Sequence, residues 1–237
     1  EAGFNYTYNQ NKITNLTKVP TPNDPGIQVG GISGGTGNTI QIQTVGYPTN
    51  TFYVNRQVYN ANGQPVEGVY QDQNNDGNIT IDDRYRYRSA NPVQLFGFTT
   101  NLTVGKFNAG LVLRGTAGNY VYNNVRSNTG TTQSLVNALG FLSNGSPNIL
   151  ETRFRSLQYF SDYYVENASF LRLDNLNFGY NFGRAFGNRA NLRLNATFQN
   201  LFVITKYSGL DPEISNGIDN NFYPRPRIGT LGLNLDF

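Results

Sequence analysis

The chain contains no cysteine and no histidine, and only 14% of its 237 residues are charged. Without cysteine there is no disulfide framework and no thiol chemistry. Without histidine there is no near-neutral base and no imidazole ligand, which excludes zinc centres of the usual kind and histidine-dependent triads. No run approaches the roughly eighteen consecutive apolar residues of a membrane-spanning helix. The opening "EAGFNYTYNQ" has no signal-peptide pattern, so the sequence reads as a mature protein or a piece of one. A net charge of +3 is too small and too dispersed to indicate a nucleic-acid partner, and the short "RYRYR" run at 84–88 reads as a solvated loop edge. The remaining carboxylates, among them Asp162, Glu166, Asp174, Asp211 and Glu213, form no motif that fixes a catalytic pair, so no enzyme is expected.

What fills the sequence instead is uncharged polarity, chiefly Asn, Thr, Gly, Ser and Gln, together with 16 Tyr and 16 Phe. Soluble surfaces carry about a quarter charged residues, so something other than charge covers this one. Aromatics at this level suit strands, and the fold is expected to be all-β. At this length the chain makes one large β domain or two small ones.

The dominant period is two. Phe96, Phe98, Leu102 and Val104 share one face against Gly97, Thr99, Asn101 and Thr103. Phe107, Ala109, Leu111 and Leu113 repeat the pattern after the tight "GK" turn at 105–106. Further strands alternate through Leu176–Phe182, Leu192–Phe198 and Leu231–Phe237, and an opening strand lies in "FNYTYNQNKIT". Long connections, near 17–92, 117–169 and 204–226, alternate with short ones at 105–106 and 183–190. Six strands of about ten residues, with short turns at one end and long loops at the other, predict an antiparallel transmembrane β-barrel segment. Aromatics near the strand ends (Phe4, Tyr6, Phe107, Tyr180, Phe182, Phe202 and Tyr207) fit an interfacial girdle. The opposite, polar face would line the lumen through Arg114, Asn175, Asn177, Arg193, Asn195 and Gln199, which wet the wall or touch substrate. Barrels of this class have at least about eight strands, so six must be part of something larger. The alternative is a secreted, calcium-stabilised β adhesin or carbohydrate-binding domain, whose strands would alternate too.

Residues 72–83, "DQNNDGNITIDD", match the spacing of a calcium-binding loop: Asp72, Asn74 and Asp76 at positions 1, 3 and 5, Gly77 at the sharp turn, the Asn78 carbonyl at 7 and Asp83 closing at 12. An aspartate reaches less far than the usual closing glutamate, so a modest Ca2+ affinity is expected. Neither flank is helical, which disfavours a sensor, and an Asn/Asp/Gly surface turn would carry the same residues.

The ordered set "YQDQNNDGNITIDDR", "SANPVQLFGFTTNLTVGKFNAGLVLRGTAGNYVYN", "FLRLDNLNFGYNF", "QNLFVITKYSGLDPE", "NGIDNNFYPRPR" and "LGLNLDF" closely resembles the C-terminal part of SusC/RagA-family TonB-dependent transporters of the Bacteroidetes outer membrane. The resemblance implies a segment of a barrel of about 22 strands, with residues 1–237 as C-terminal barrel and neither plug, TonB box nor early strands present. It also implies coupling to TonB through the plug, a SusD-like surface lipoprotein over the loops, contact with outer-membrane lipid, and a glycan or peptide cargo. Phe237 looks like the terminal aromatic read by the barrel-assembly machinery. That end would lie in the periplasm, and the long loops outside the cell. Tyr120, Tyr122, Tyr207 and Tyr223, in or beside those loops, are candidates to stack on sugar rings.

Overall fold

The computed structural model describes residues 1–19, 24–136, 140–187 and 189–237. In chain order the strands are β1 (Ala2–Tyr8), β2 (Ile27–Gly31), β3 (Thr39–Gln43), β4 (Thr51–Val54), β5 (Gln57–Tyr59), β6 (Pro65–Tyr70), β7 (Tyr85–Ser89), β8 (Gln94–Val104), β9 (Phe107–Ala117), β10 (Tyr120–Tyr122), β11 (Val165–Asn167), β12 (Phe170–Ala185), β13 (Ala190–Thr205) and β14 (Ile228–Asp236). The largest sheet holds six of them in the order β1-β8-β9-β12-β13-β14, every neighbouring pair antiparallel. These are the six segments expected from the alternation, separated by the expected alternation of turns and long loops. Two boundaries differ: β1 stops at Tyr8, and β12 and β13 are longer than expected, at 16 residues each, leaving only 186–189 between them.

Register puts like with like. Phe98 pairs with Leu113, Leu102 with Ala109 and Val104 with Phe107 on one face, and Asn101 pairs with Gly110 and Thr103 with Asn108 on the other. Along β12, Leu176, Phe178 and Tyr180 pair with Phe198, Ala196 and Leu194, which continues the apolar face across the sheet. That face is uncovered: Leu231 is 75% exposed, Val104 63% and Ile204 62%. A soluble sheet would bury it, at roughly 25 cal/mol for each Å² removed from water. Among the described residues no layer covers it, as the soluble adhesin alternative would require.

The buried core lies instead in the long connections. Ile40, Phe52 and Val54 from the first, Tyr122 and Tyr164 from the second and Ile218 from the third form one cluster. Main-chain bonds tie the same segments together, from Tyr122 N to Gly217 O and from Asn55 N to Phe160 O. Inside the first connection β2, β3, β4 and β7 form a four-stranded sheet and β5 and β6 a hairpin. The connections are therefore folded, with their own hydrogen-bonded ladders, as loops of this length require if their buried amides are to be satisfied.

Candidate polar wall and loop mouth

On the polar face, Asn175 pairs with Gln199 and Val112, Asn177 with Thr197 and Gly110, Gly179 with Asn195 and Asn108, and Asn181 with Arg193. Asn175, Asn177, Arg193, Asn195 and Gln199 thus share one face, as the alternation predicts. Glycine sits between asparagines for a steric reason. A Cβ on Gly110 would lie 2.6 Å from both Asn101 Oδ1 and Asn177 Oδ1. The result is a groove of about 400 Å³ lined by Asn101, Thr103, Asn108, Asn177, Asn195 and Thr197. The polar side chains that line it are all amides and hydroxyls, an uncharged surface that water can wet.

Arg114 shares that face but is not free. Its guanidinium donates to both oxygens of Asp174 (2.7 and 3.2 Å) and both of Glu213 (2.7 and 3.1 Å). Such double forks fix geometry as well as charge. Asp174 reaches Arg114 because it is the extra residue of a bulge, where pairing shifts between Leu173 and Asn175. The shift keeps Arg172 on the polar face, opposite Arg114. Arg172, almost wholly buried, donates to Asp211 Oδ1 (2.6 Å) and to Asn200 Oδ1 (2.6 Å). Arg225 adds a 2.8 Å contact to Glu213. Three arginines thus face three carboxylates, and the ring of Phe170 lies 5.6 Å from the Arg114 guanidinium and 5.4 Å from that of Arg172. The network ties the third long connection, through Asp211 and Glu213, to the top of the wall. Arg114, expected to line the lumen or touch substrate, lies on the polar face and braces it through these ion pairs.

The sequence reading missed Arg172, Asp174, Asp211, Glu213 and Arg225 as a group. One signal was present: the apolar phase moves from odd positions (Leu171, Leu173) to even ones (Leu176, Phe178), which requires a bulge between them. Asn200, at φ +51°, marks the matching irregularity on β13. Its side-chain amide also donates to the carbonyl of Arg225.

The 72–83 loop takes the turn its spacing predicts, with Gly77 at φ +82°. Asp72 accepts from the amides of Asn75 and Gly77, and Asp76 accepts from the Asn78 amide and the Asn74 side chain. Asp83 is enclosed by the loop's own main chain and accepts from Thr80 N (2.7 Å) and Gln73 N (2.8 Å). The Thr80 amide, followed by that of Gln73, holds this carboxyl below its ordinary value of 3.8, against the opposing effect of desolvation. The donors are the hard oxygens calcium takes. Among the described residues no three acidic side chains converge on one point.

The candidate tyrosines separate. Tyr122 is fully buried and donates to Tyr159 O. Tyr207, expected in the girdle or at a sugar, is buried and donates to Asp219 (2.6 Å). Burial, followed by that hydrogen bond to a carboxylate, raises its pKa far above the usual phenol range. Tyr120 is half-buried and Tyr223 fully open to solvent. Phe4, Tyr6, Phe107, Tyr180, Phe182 and Phe202 are exposed on the apolar face, and Phe237 is 97% exposed.

The chain is 38% identical, over its whole length, to the TonB-dependent receptor SusC of Bacteroides thetaiotaomicron, of which it covers 24%. It is 27% identical to a TonB-dependent receptor of Formosa agariphila, again over its whole length and 26% of that protein. No protein-family model matches. Among solved structures, the RagAB peptide transporter superposes with a TM-score of 0.72 at 25% identity, covering the whole chain and 26% of that protein. The RagAB importer in an open-open state gives 0.70. The chain spans about a quarter of the length of these relatives, and none of them is named an enzyme. By its sequence, its sheet and these likenesses together, the chain belongs to the SusC/RagA family of TonB-dependent outer-membrane receptors, as a segment of the family's β-barrel.

Proposed function

We propose that these residues form part of the wall and outer mouth of a TonB-dependent importer whose cargo is a glycan or peptide too large to diffuse through a porin. The observation that carries this is the two-faced sheet: an uncovered apolar face for lipid, an amide-lined face for the lumen, and folded loops gathered at one end. In this reading the loops are extracellular and cooperate with a SusD-like surface lipoprotein. Phe237 is then the periplasmic end, read during barrel assembly, and TonB acts through a plug that fills the lumen of the whole protein. The names of the relatives, a receptor and a peptide transporter, support import and leave the cargo open between the two classes. The test is uptake by cells carrying the intact gene. Deleting TonB should abolish growth on the cargo, and equal growth with and without TonB would overturn the proposal.

Calcium belongs to the same reading. Bound by Asp72, Asn74, Asp76, the Asn78 carbonyl and Asp83, it would staple the first connection at the cell surface. Calorimetric titration of the calcium-stripped assembled protein should show one weak site that Asp83→Ala removes. Wild-type protein that takes up no calcium would remove the staple from the proposal.

A further inference from the structure

At the rim where β1, β8 and β9 leave the large sheet lies an open cleft of about 360 Å³. Asn9, Gln10, Asn11, Tyr87, Arg88 and Tyr120 line it. The Arg88 guanidinium lies 5.3 Å from the Tyr87 ring and 5.2 Å from the Tyr120 ring, whose centroids are 6.4 Å apart. All the chain's acidic residues are described, and their ion pairs engage Arg114, Arg126, Arg172 and Arg225. Arg88 has no carboxylate partner. The nearby arginines differ: Arg86, on the same strand, donates to Thr44 Oγ1 and to a main-chain carbonyl, and Arg84, just before the strand, lies 3.6 Å from the Phe160 ring.

Two amides of the cleft, those of Gln10 and Asn11, are unspent in one direction, whereas Asn91 is engaged through both its oxygen and its nitrogen. Asn11 Oδ1 accepts from the Thr49 amide and hydroxyl, and Gln10 Oε1 accepts from the Tyr8 hydroxyl. The amide nitrogens of both, like the Arg88 guanidinium, donate to nothing among the described residues. The cleft therefore offers donors and one unneutralised, aromatic-held fork, and a matching ligand must be rich in acceptor oxygens and carry an anion. Tyrosine rings add the flat apolar surface on which a pyranose packs its C–H face.

We infer that the Arg88 cleft binds a sugar ring bearing an anionic group, a carboxylate or a sulfate, with Arg88 on the anion, Tyr87 and Tyr120 against the ring, and Asn9, Gln10 and Asn11 on its hydroxyls. This deepens the import reading by naming a cargo class, and rests on that reading only for its biological role.

The test is binding to the whole assembled transporter in detergent, where TonB is not needed. The probes are trigalacturonate, a sulfated heparin tetrasaccharide and, as the neutral control, maltotriose. Wild-type protein should bind at least one acidic probe, and Arg88→Gln should weaken that binding about ten-fold, the loss expected for one charge-assisted hydrogen-bonded contact. Arg88→Lys, which keeps the cation without the planar fork, should fall between the two and gives the answer if Arg88→Gln fails to assemble. Tyr120→Ala should also weaken binding. Failure to bind either acidic probe, wild-type affinity in Arg88→Gln or Arg88→Lys, or tighter retention of maltotriose than of both acidic sugars would overturn the inference. TonB-independent uptake would overturn only the import reading.

Discussion

Arg172 shows what a single side chain does in the upper wall. Its charge is withdrawn from water and is balanced by Asp211, whose own carboxylate also accepts from the amide of Glu213. Removing one partner of such a pair leaves a buried charge uncompensated, at a cost of about 3–5 kcal/mol, whereas replacing both by apolar groups of similar volume is often nearly neutral. Asp211→Ala should therefore lower the temperature at which the folded barrel converts to its unfolded gel mobility, and Arg172→Met with Asp211→Leu should lower it less. Equal losses would mean that the pair does not act as a unit. Gly217 is a second exacting position. It sits at φ +72° with the Ala90 side chain where its own Cβ would be and Phe52 Cζ 3.3 Å away. Gly217→Val is expected to cost roughly 1–3 kcal/mol from overpacking alone. Proteolysis of residues 206–227 should quicken while the barrel band persists; unchanged protection would show that the contact relaxes freely.

Among the elements, the 72–83 loop is where pH should be felt. Because the folded pKa of Asp83 is depressed, its hydrogen bonds contribute fully above the ordinary value of 3.8, and that contribution is lost as pH falls below it toward the folded value. Hydrogen exchange at the Gln73 and Thr80 amides should therefore be protected at neutral pH and lose protection in that acid range, with Asp83→Asn unprotected throughout. Strands and this turn were legible in the sequence because each depends on neighbours a few positions away: alternation of two for the strands, ligand spacing and one glycine for the turn. The connections were not. Single β-bridges join Asn55 to Ser161 and Tyr122 to Ile218, pairings between distant parts of the sequence that leave no local period. The ion pairs of Arg114 were not legible for the same reason, since its partner Glu213 arrives from the third connection, 99 residues on. The bulge at Asp174 lay between these cases, visible as a slip of phase but not as the side-chain network it creates.

For the whole molecule, the six-stranded sheet ends in β1 and β14, each paired on one side only. Unpaired amides cannot face lipid, so these edges need further strands. In the intact protein, removing Phe237 is expected to slow insertion and lower the amount of heat-modifiable barrel in the outer membrane, with the little that inserts still active. Undiminished assembly would leave that residue without a role. The shared core of the loops carries a different consequence. Phe52, Tyr122 and Ile218 each come from a different connection, so none of the three can be exchanged alone without leaving the other two a mismatched cavity. A new cargo preference grafted from a relative would have to travel as a matched set of three loops, and a chimera carrying only one should fail in its mouth while its wall stays sound.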